Sequence, residues 1–323
     1  MKVLASPKLT VAFFLLAAVG ALVAKEGWLT PTVAMLPPFA LLLINLLAAI
    51  LCHPRFRADL PLLVFHLALL ALIALFALGR LTYLYGSVSI TRDTSFSGVI
   101  YLLETGPLHP TDYRKLTFQH AGMVERYNDD VGHRIDISSR LRWPDDRRGW
   151  QEAELGFGYP VVLNGYRIYP SGRRGYAPIF LWQPDQGSEE LGAVQLFGQF
   201  SKVTENTTDW TMPNGQAAWL QLLNLSPSHP PLGAVRHDLD AERLPHKLIL
   251  RIGEARHELS LGDSVAVNGG RLRYVKLESW GGYSLIYDPT ESWLIATIIV
   301  AIGSLAWFYR RRFAKSIPLA DVQ

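Results

Sequence analysis

Four runs of apolar residues, at Leu9–Ala24, Pro31–Cys52, Leu60–Gly79 and Trp293–Tyr309, constrain this chain more than any other feature. A bilayer core of ~30 Å takes ~20 helical residues to cross, and each run reaches that length, the first and last by borrowing flanking residues. Acidic residues avoid these regions. Only Glu26 and Asp59 lie in the first 92 positions, and none lies between Trp293 and Ala320. Charged residues make up 18% of the chain, against ~25% in soluble globular proteins, and the shortfall sits in the runs, which excludes an ordinary cytosolic enzyme. Trp28, Trp293 and Trp307 stand where interfacial aromatic anchors are expected. Lys2 and Lys8 ahead of the first run, with Val19-Gly20-Ala21 as a cleavage site, also fit a signal peptide. The short Lys25–Thr30 link to the second run fits a helical hairpin better.

Basic residues near the spans set the orientation. Lys2 and Lys8 precede the first span, Arg55 and Arg57 join the second to the third, and Arg310, Arg311, Arg312 and Lys315 follow the fourth. With four spans, all three groups fall on one side, so both termini and the loop His53–Asp59 are expected in the cytoplasm. About 210 residues between Arg80 and Ser292 are then extracytoplasmic. The expected cytoplasmic face carries eight Lys and Arg against Asp59 and Asp321, a net +6, and the remainder carries 23 basic against 26 acidic residues, a net −3. The overall +3 is thus a membrane-orienting signal and gives no reason to expect nucleic acid.

The predicted organisation is a membrane protein with four α-helical transmembrane spans and one β-rich extracytoplasmic domain. Residues 1–80 hold three helices (about 9–24, 31–52 and 60–79), 81–292 the β-rich domain, and 293–323 the fourth helix (about 293–309) and a basic tail. Val161–Tyr169 carries Asn164-Gly165 between β-prone runs, which reads as a hairpin or as a bulged strand continuing from Tyr166. Val265–Tyr274 repeats the pattern around Asn268-Gly269-Gly270. Gly98–Leu103, Ile179–Gln183, Ala193–Phe197, Lys247–Ile252, His257–Leu261 and Tyr283–Tyr287 are further predicted strands, and Gln216–Leu225 is the one helical reading in this region.

Within the spans His66 is the one readily ionisable side chain. It lies six residues past Leu60, about 9 Å along a helix from the cytoplasmic end. Hydrocarbon solvates no polar group, so the imidazole needs a partner. Three uses are open: a hydrogen bond between helices, a proton relay, or ligation of iron by the neutral ring. No second histidine lies in a span, so a haem held by two histidines would need one from another subunit. Asn45 and Pro37-Pro38 in the second span read as packing features, and Cys52, the only cysteine, as a small buried or interfacial residue. One cysteine excludes an intramolecular disulfide, a C-x-x-C redox pair and a C-x-x-C-H haem attachment. His109, His120, His133, His229, His237, His246 and His257 show no H-x-x-x-H or H-E-x-x-H spacing. Asp129-Asp130, Asp145-Asp146 and Glu189-Glu190, alternating with Arg147-Arg148 and Arg173-Arg174, read as solvated loop tips, although Arg pairs also suit carboxylates such as haem propionates. No nucleophile-elbow, Walker or Rossmann pattern occurs.

Four stretches resemble the ResB (CcsB) family of cytochrome c biogenesis proteins. They are Pro61–Leu67 continuing to Gly79, Leu163–Tyr169, Gly175-Tyr176-Ala177-Pro178, and Gly282–Pro289 running into the last span. Their order, and the layout of three spans, a large external β domain and a fourth span before a basic tail, match that family. The resemblance implies a bacterial inner-membrane protein, N-in and C-in, that works with a ResC/CcsA-like membrane partner in a cytochrome c synthase. It implies that haem b is held in transit, with His66 as an axial ligand to the haem iron, and is presented for attachment to the CxxCH of apocytochrome c. The tryptophan-rich haem segment and the external histidines would come from the partner, so no catalytic residue is assigned here and the chain alone is not a complete lyase. The chain is compact for that family and has no cysteine outside the membrane to reduce apocytochrome thiols. Two other functions compete: a membrane-anchored interaction protein that docks a secreted partner without haem, and a haem-bearing subunit of a quinone-linked redox complex.

Overall fold

Each of the four apolar runs forms one helix in the computed structural model, which describes residues 3–127, 134–196, 206–225 and 236–316. The helices are α1 (Pro7–Lys25), α2 (Pro31–Cys52), α4 (Leu60–Thr82) and α5 (Glu291–Ser316), and the five-residue α3 (Pro54–Ala58) lies between α2 and α4. All four long helices are long and apolar enough to cross a membrane. Proline occupies the first turn of α1, α2, α3 and α4, where its missing N–H costs nothing. In α2 the Thr30 hydroxyl also caps the start, accepting from the Val33 N–H at 3.4 Å. The fourth helix outruns its predicted bounds of 293–309, because Arg310–Ala314 contains no glycine or proline to stop it.

These helices belong to a compact unit made of Met1–Leu84, Glu104–Pro110 and Tyr287–Gln323. Here α2 packs against α1 and α4, and α4 against α5. Asn45 joins the first pair: its amide donates to the carbonyls of Leu4 at 2.5 Å and Ser6 at 3.2 Å, and its Oδ1 accepts from the Thr10 hydroxyl at 2.6 Å. The expected helical hairpin is therefore held by a polar clamp as well as by apolar packing. A Cβ at Gly79 of α4 would lie 2.9 Å from the Thr290 hydroxyl, and Arg311 Nη1 lies 3.9 Å from Asp59 Oδ1 at the opposite end of α4. The two helices thus run antiparallel side by side.

The second unit, Tyr85–Leu103 and Thr111–Ile286, is built from strands. In chain order the strands are β1 (Leu84–Thr91), β2 (Leu102–Thr105), β3 (Gln119–Tyr127), β4 (Arg134–Asp145), β5 (Gly149–Gly156), β6 (Val161–Leu163), β7 (Tyr166–Pro184), β8 (Glu190–Ala193), β9 (Thr207–Thr211), β10 (Ala217–Asn224), β11 (Arg236–Asp238), β12 (His246–Ile252), β13 (Ala255–Leu259), β14 (Ser264–Val267) and β15 (Gly270–Tyr287). They form a seven-stranded sheet with the path β2-β1-β15-β7-β6, to which β8 and β14 add at β7 and β15, and two four-stranded sheets, β13-β12-β10-β9 and β11-β3-β4-β5. A core including Trp182, Leu220, Leu250, Leu272 and Tyr274 fills this unit.

Both predicted hairpins form. Val161–Leu163 pairs with Tyr166–Ile168 across Asn164 (φ 50°) and Gly165 (φ 84°), the paired left-handed conformations a two-residue turn of this hand requires. Ser264–Val267 pairs with Gly270–Arg273 around Asn268-Gly269. The helical reading of Gln216–Leu225 is wrong. Ala218, Leu220 and Leu222 point inward while their neighbours are less buried, a period of two that pairs with β9 and β12 and overrides the helix propensity of Ala and Leu. Of Gly98–Leu103 only the end is strand, and of Ala193–Phe197 only Ala193 is strand, with Phe197 outside the described residues.

Candidate functional site

His66 lies on the second turn of α4. Its Nδ1 is 2.7 Å from the carbonyl of Leu62, one turn earlier. A carbonyl only accepts, so Nδ1 carries the hydrogen and Nε2 presents a lone pair. Among the described residues Nε2 has no hydrogen-bond partner. The ring is half-buried, packed on Phe56 of α3 at 4.2 Å between centroids and edge-on to Phe65 at 5.3 Å. This is the tautomer and restraint that a metal-ligating histidine needs, since the nitrogen away from the metal is ordinarily held by a carbonyl or carboxylate. Among the described residues no group of three or more His, Cys, Asp or Glu could hold a bare metal ion. A porphyrin iron, with four nitrogens of its own, would ask this chain only for an axial ligand, and a single neutral imidazole is such a donor.

At the far end of α4 a short segment folds back and caps the helix. Gly106 N–H donates to the Tyr83 carbonyl at 2.9 Å, Leu108 N–H to that of Leu81 at 2.8 Å, and the His109 ring to that of Thr82 at 2.8 Å. These bonds satisfy carbonyls that a helix C-terminus leaves open. A Cβ at Gly106 would sit 2.2 Å from the Leu81 carbonyl oxygen, so only glycine allows the approach. The Tyr287 ring stands edge-on to His109 at 5.0 Å.

In the strand unit the sequence reading missed a buried polar chain. His120 of β3, Ser139 of β4 and Tyr283 of β15 are all buried. Tyr283 OH lies 2.5 Å from His120 Nδ1 and 2.7 Å from Ser139 Oγ, which in turn donates to the Gly122 carbonyl at 2.9 Å. Burial, reinforced by the charges of Arg92 and Arg140, pushes His120 down to about 3, and burial raises the Tyr283 hydroxyl well above the usual phenol range, against the opposing effect of its hydrogen bond with Ser139. Tyr283 lies inside the Gly282–Pro289 stretch already singled out. Its alternation with Leu285 was the available signal, whereas nothing near His120 marks its partner.

Arg173-Arg174 is not a loop tip. Both lie within β7, and Arg174 forms an ion pair with Glu125 of β3, the carboxylate fully buried and the guanidinium nearly so. Asp145-Asp146 and Arg147-Arg148 do make an exposed turn, in which Asp145 accepts from the backbone of both arginines, and Glu189-Glu190 is exposed. Asp129-Asp130, His133 and His229 lie outside the described residues. His246 bridges the Leu244 carbonyl and the Tyr274 hydroxyl, each at 2.6 Å. Cys52 is half-buried and unbonded, and His53 beside it is exposed. Among the described residues the histidines form no cluster with other potential metal ligands. Compared with protein-family models and with curated proteins, the chain matches none.

Proposed function

We propose that this chain is a ResB-like subunit of a cytochrome c synthase, crossing a bacterial cytoplasmic membrane four times with its strand unit outside. Membrane insertion is supported by the helices' own surfaces: Phe14, Leu22, Ile299 and Phe313 are each at least 60% exposed, a burden in water and none in lipid. The orientation is supported by the Arg311–Asp59 contact, which brings the basic tail to the same end of the bundle as the basic α3.

The observation that carries the haem reading is the Nδ1–Leu62 hydrogen bond of His66, which leaves Nε2 to face iron. Haem would supply the vinyl groups that join cytochrome thiols. This chain's part is positional: Leu62 fixes the tautomer, Phe56 and Phe65 restrain the ring, and a ResC/CcsA-like partner completes the coordination. Co-purification with such a partner tests it. His66→Gly is expected to lower haem occupancy and cytochrome c maturation, with exogenous imidazole restoring both; unchanged occupancy and maturation would sink the ligand assignment.

The close Phe56–His66 ring contact favours a second reading, in which the imidazole only packs α3 on α4 and the protein is a membrane-anchored interaction protein. It predicts no haem with or without a partner, and loss of function from changes in the strand unit.

A further inference from the structure

One face of the sheet β13-β12-β10-β9 packs into the core through Ala218, Leu220, Leu222, Leu248 and Leu250. The opposite face carries an open pocket of about 560 Å³, within the size range of small-molecule sites. Its centre is Trp219 of β10. Arg251 of β12 pairs with Trp219 on one side and Asp209 of β9 on the other, so the three side chains stand in one row on one face. Two strand spacings separate the backbones of Arg251 and Asp209, about 10 Å. The next row holds Ala217 opposite Thr211, and Gly253 lies two residues past Arg251. Ala217 and Gly253 are too small to fill the space beside the indole, which leaves the depression.

The charges of this row are not spent on each other. Asp209 and Arg251 are exposed, and among the described residues neither side chain forms an ion pair or a hydrogen bond. The carboxylate of Glu258 on β13 is shared by Arg256 at 3.0 Å and Lys247 at 3.8 Å. The Arg251 guanidinium stands 6.0 Å from the centre of the half-buried Trp219 ring, at the outer limit of cation–π attraction, so it is drawn to the indole without closing on it. A cation would be attracted by Asp209 and repelled by Arg251, and an anion the reverse. A free amino acid carries both charges on one carbon, too close together for side chains rooted so far apart. A flat apolar ligand would face both charges in a pocket too open to bury it. A neutral sugar ring suits all of these groups: its C–H face is apolar, and its hydroxyls both donate and accept. We propose that this pocket binds a neutral saccharide, with a pyranose ring lying on Trp219. Asp209 accepts from its hydroxyls, Arg251 donates to them, and Thr211 does either. The site lies wholly within the strand unit, and its use does not depend on haem ligation.

The test uses the full chain in lipid nanodiscs, free of the sugar-headed detergents that would compete, and needs neither haem nor a partner. Isothermal titration is made with tetraacetylchitotetraose, a β-linked glycan of the cell-wall type, and with maltotetraose, a soluble α-linked one. Saturable binding of at least one is expected, and the one that binds identifies the source. Trp219→Ala removes the platform and is expected to weaken binding at least about tenfold. Asp209→Asn keeps the shape but loses the charge-assisted acceptor, and is expected to weaken it about fivefold. Trp150→Ala removes another exposed tryptophan with an arginine over its ring and is expected to bind as the parent does. Near-ultraviolet circular dichroism checks that the variants are folded, and if Trp219→Ala is not, Asp209→Asn decides. Absence of saturable binding by either saccharide overturns the inference. So does parental binding by a folded Trp219→Ala or Asp209→Asn variant, or an equal loss in Trp150→Ala.

Discussion

The hydroxyl of Tyr283 receives the Nδ1 hydrogen of His120 and passes its own to Ser139. Three hydrogens serve three bonds: His120 Nδ1–H to Tyr283, Tyr283 O–H to Ser139, and Ser139 O–H to the Gly122 carbonyl. The reverse direction would leave the Gly122 bond without a hydrogen and bury an unpaired Nε2–H. The assigned direction leaves Nε2 of His120 a buried acceptor without a partner. The chain ties β3 and β4 to β15, and so joins two of the three sheets through neutral groups.

Acid is expected to destabilise the strand unit through His120. The folded ring titrates at about 3, while an unfolded histidine titrates near 6.5. Between these values the unfolded state binds the proton and the folded state does not, so stability falls as pH drops below about 6.5 and is fully kept above it. At pH 5 the loss is about 2 kcal/mol relative to pH 7.5. Denaturant unfolding followed by tryptophan fluorescence at the two pH values measures it, and His120→Gln should flatten the difference. An equally steep dependence in that variant would assign the acid effect elsewhere.

Tyr283→Phe removes the middle of the chain and keeps the ring. The His120 Nδ1–H is left buried and unpaired, a cost of about 1–3 kcal/mol. Ser139→Ala removes two bonds, that from Tyr283 and that to the Gly122 carbonyl, leaves the Tyr283 hydrogen buried and unpaired, and should cost about as much. Because the bonds form one chain, the double variant should be less destabilised than the sum of the two. Additive effects in the same unfolding experiment would show that the groups act separately.

The buried Arg174–Glu125 pair is expected to be costly to break and cheap to replace. Removing one partner strands a charge in a dry site, and Arg174→Met or Glu125→Gln alone should cost about 3–5 kcal/mol. Changing both to apolar residues of similar size removes the desolvation cost along with the attraction, so Arg174→Met with Glu125→Leu should regain at least half of the loss. A double variant as weak as the worse single one would indicate that the other bonds made by these side chains dominate.

What the sequence made legible follows the range of the interactions involved. Helix positions could be read because hydropathy over ~20 residues is a local sum, and Asn164-Gly165 could be read because a two-residue turn is specified by the two residues in it. Gln119–Tyr127 and Arg134–Asp145 escaped notice as strands, since His120, Glu125, Arg140 and Arg142 interrupt any apolar alternation. Their polar side chains are paid for by partners far along the chain, Tyr283 for His120 and Arg174 for Glu125. Arg173-Arg174 read as a turn for the same reason: its acidic partner lies on another strand. At His66 the residue type and its place on the second turn of a long apolar helix were legible, and so in principle was the Leu62 carbonyl one turn back. The ring contact with Phe56 was not, because it depends on the bend that α3 makes before α4.

Asn45 offers a test of the helical hairpin that is independent of haem. Its side chain accepts from Thr10 and donates to the carbonyls of Leu4 and Ser6, and it is 3% exposed. Helix-to-helix hydrogen bonds in apolar surroundings contribute modestly, about 0.6 kcal/mol on average and up to about 1.7. Asn45 makes one bond to α1 itself and two to carbonyls just ahead of it, so Asn45→Leu should cost about 1–2 kcal/mol in unfolding by sodium dodecyl sulfate from mixed micelles. Thr10→Val removes only the bond to Oδ1 and should cost about half as much. Most of its effect should vanish in the Asn45→Leu background, because the partner is already gone. If Thr10→Val costs the same with or without Asn45, the clamp does not hold α1 to α2, and apolar packing alone must account for the hairpin.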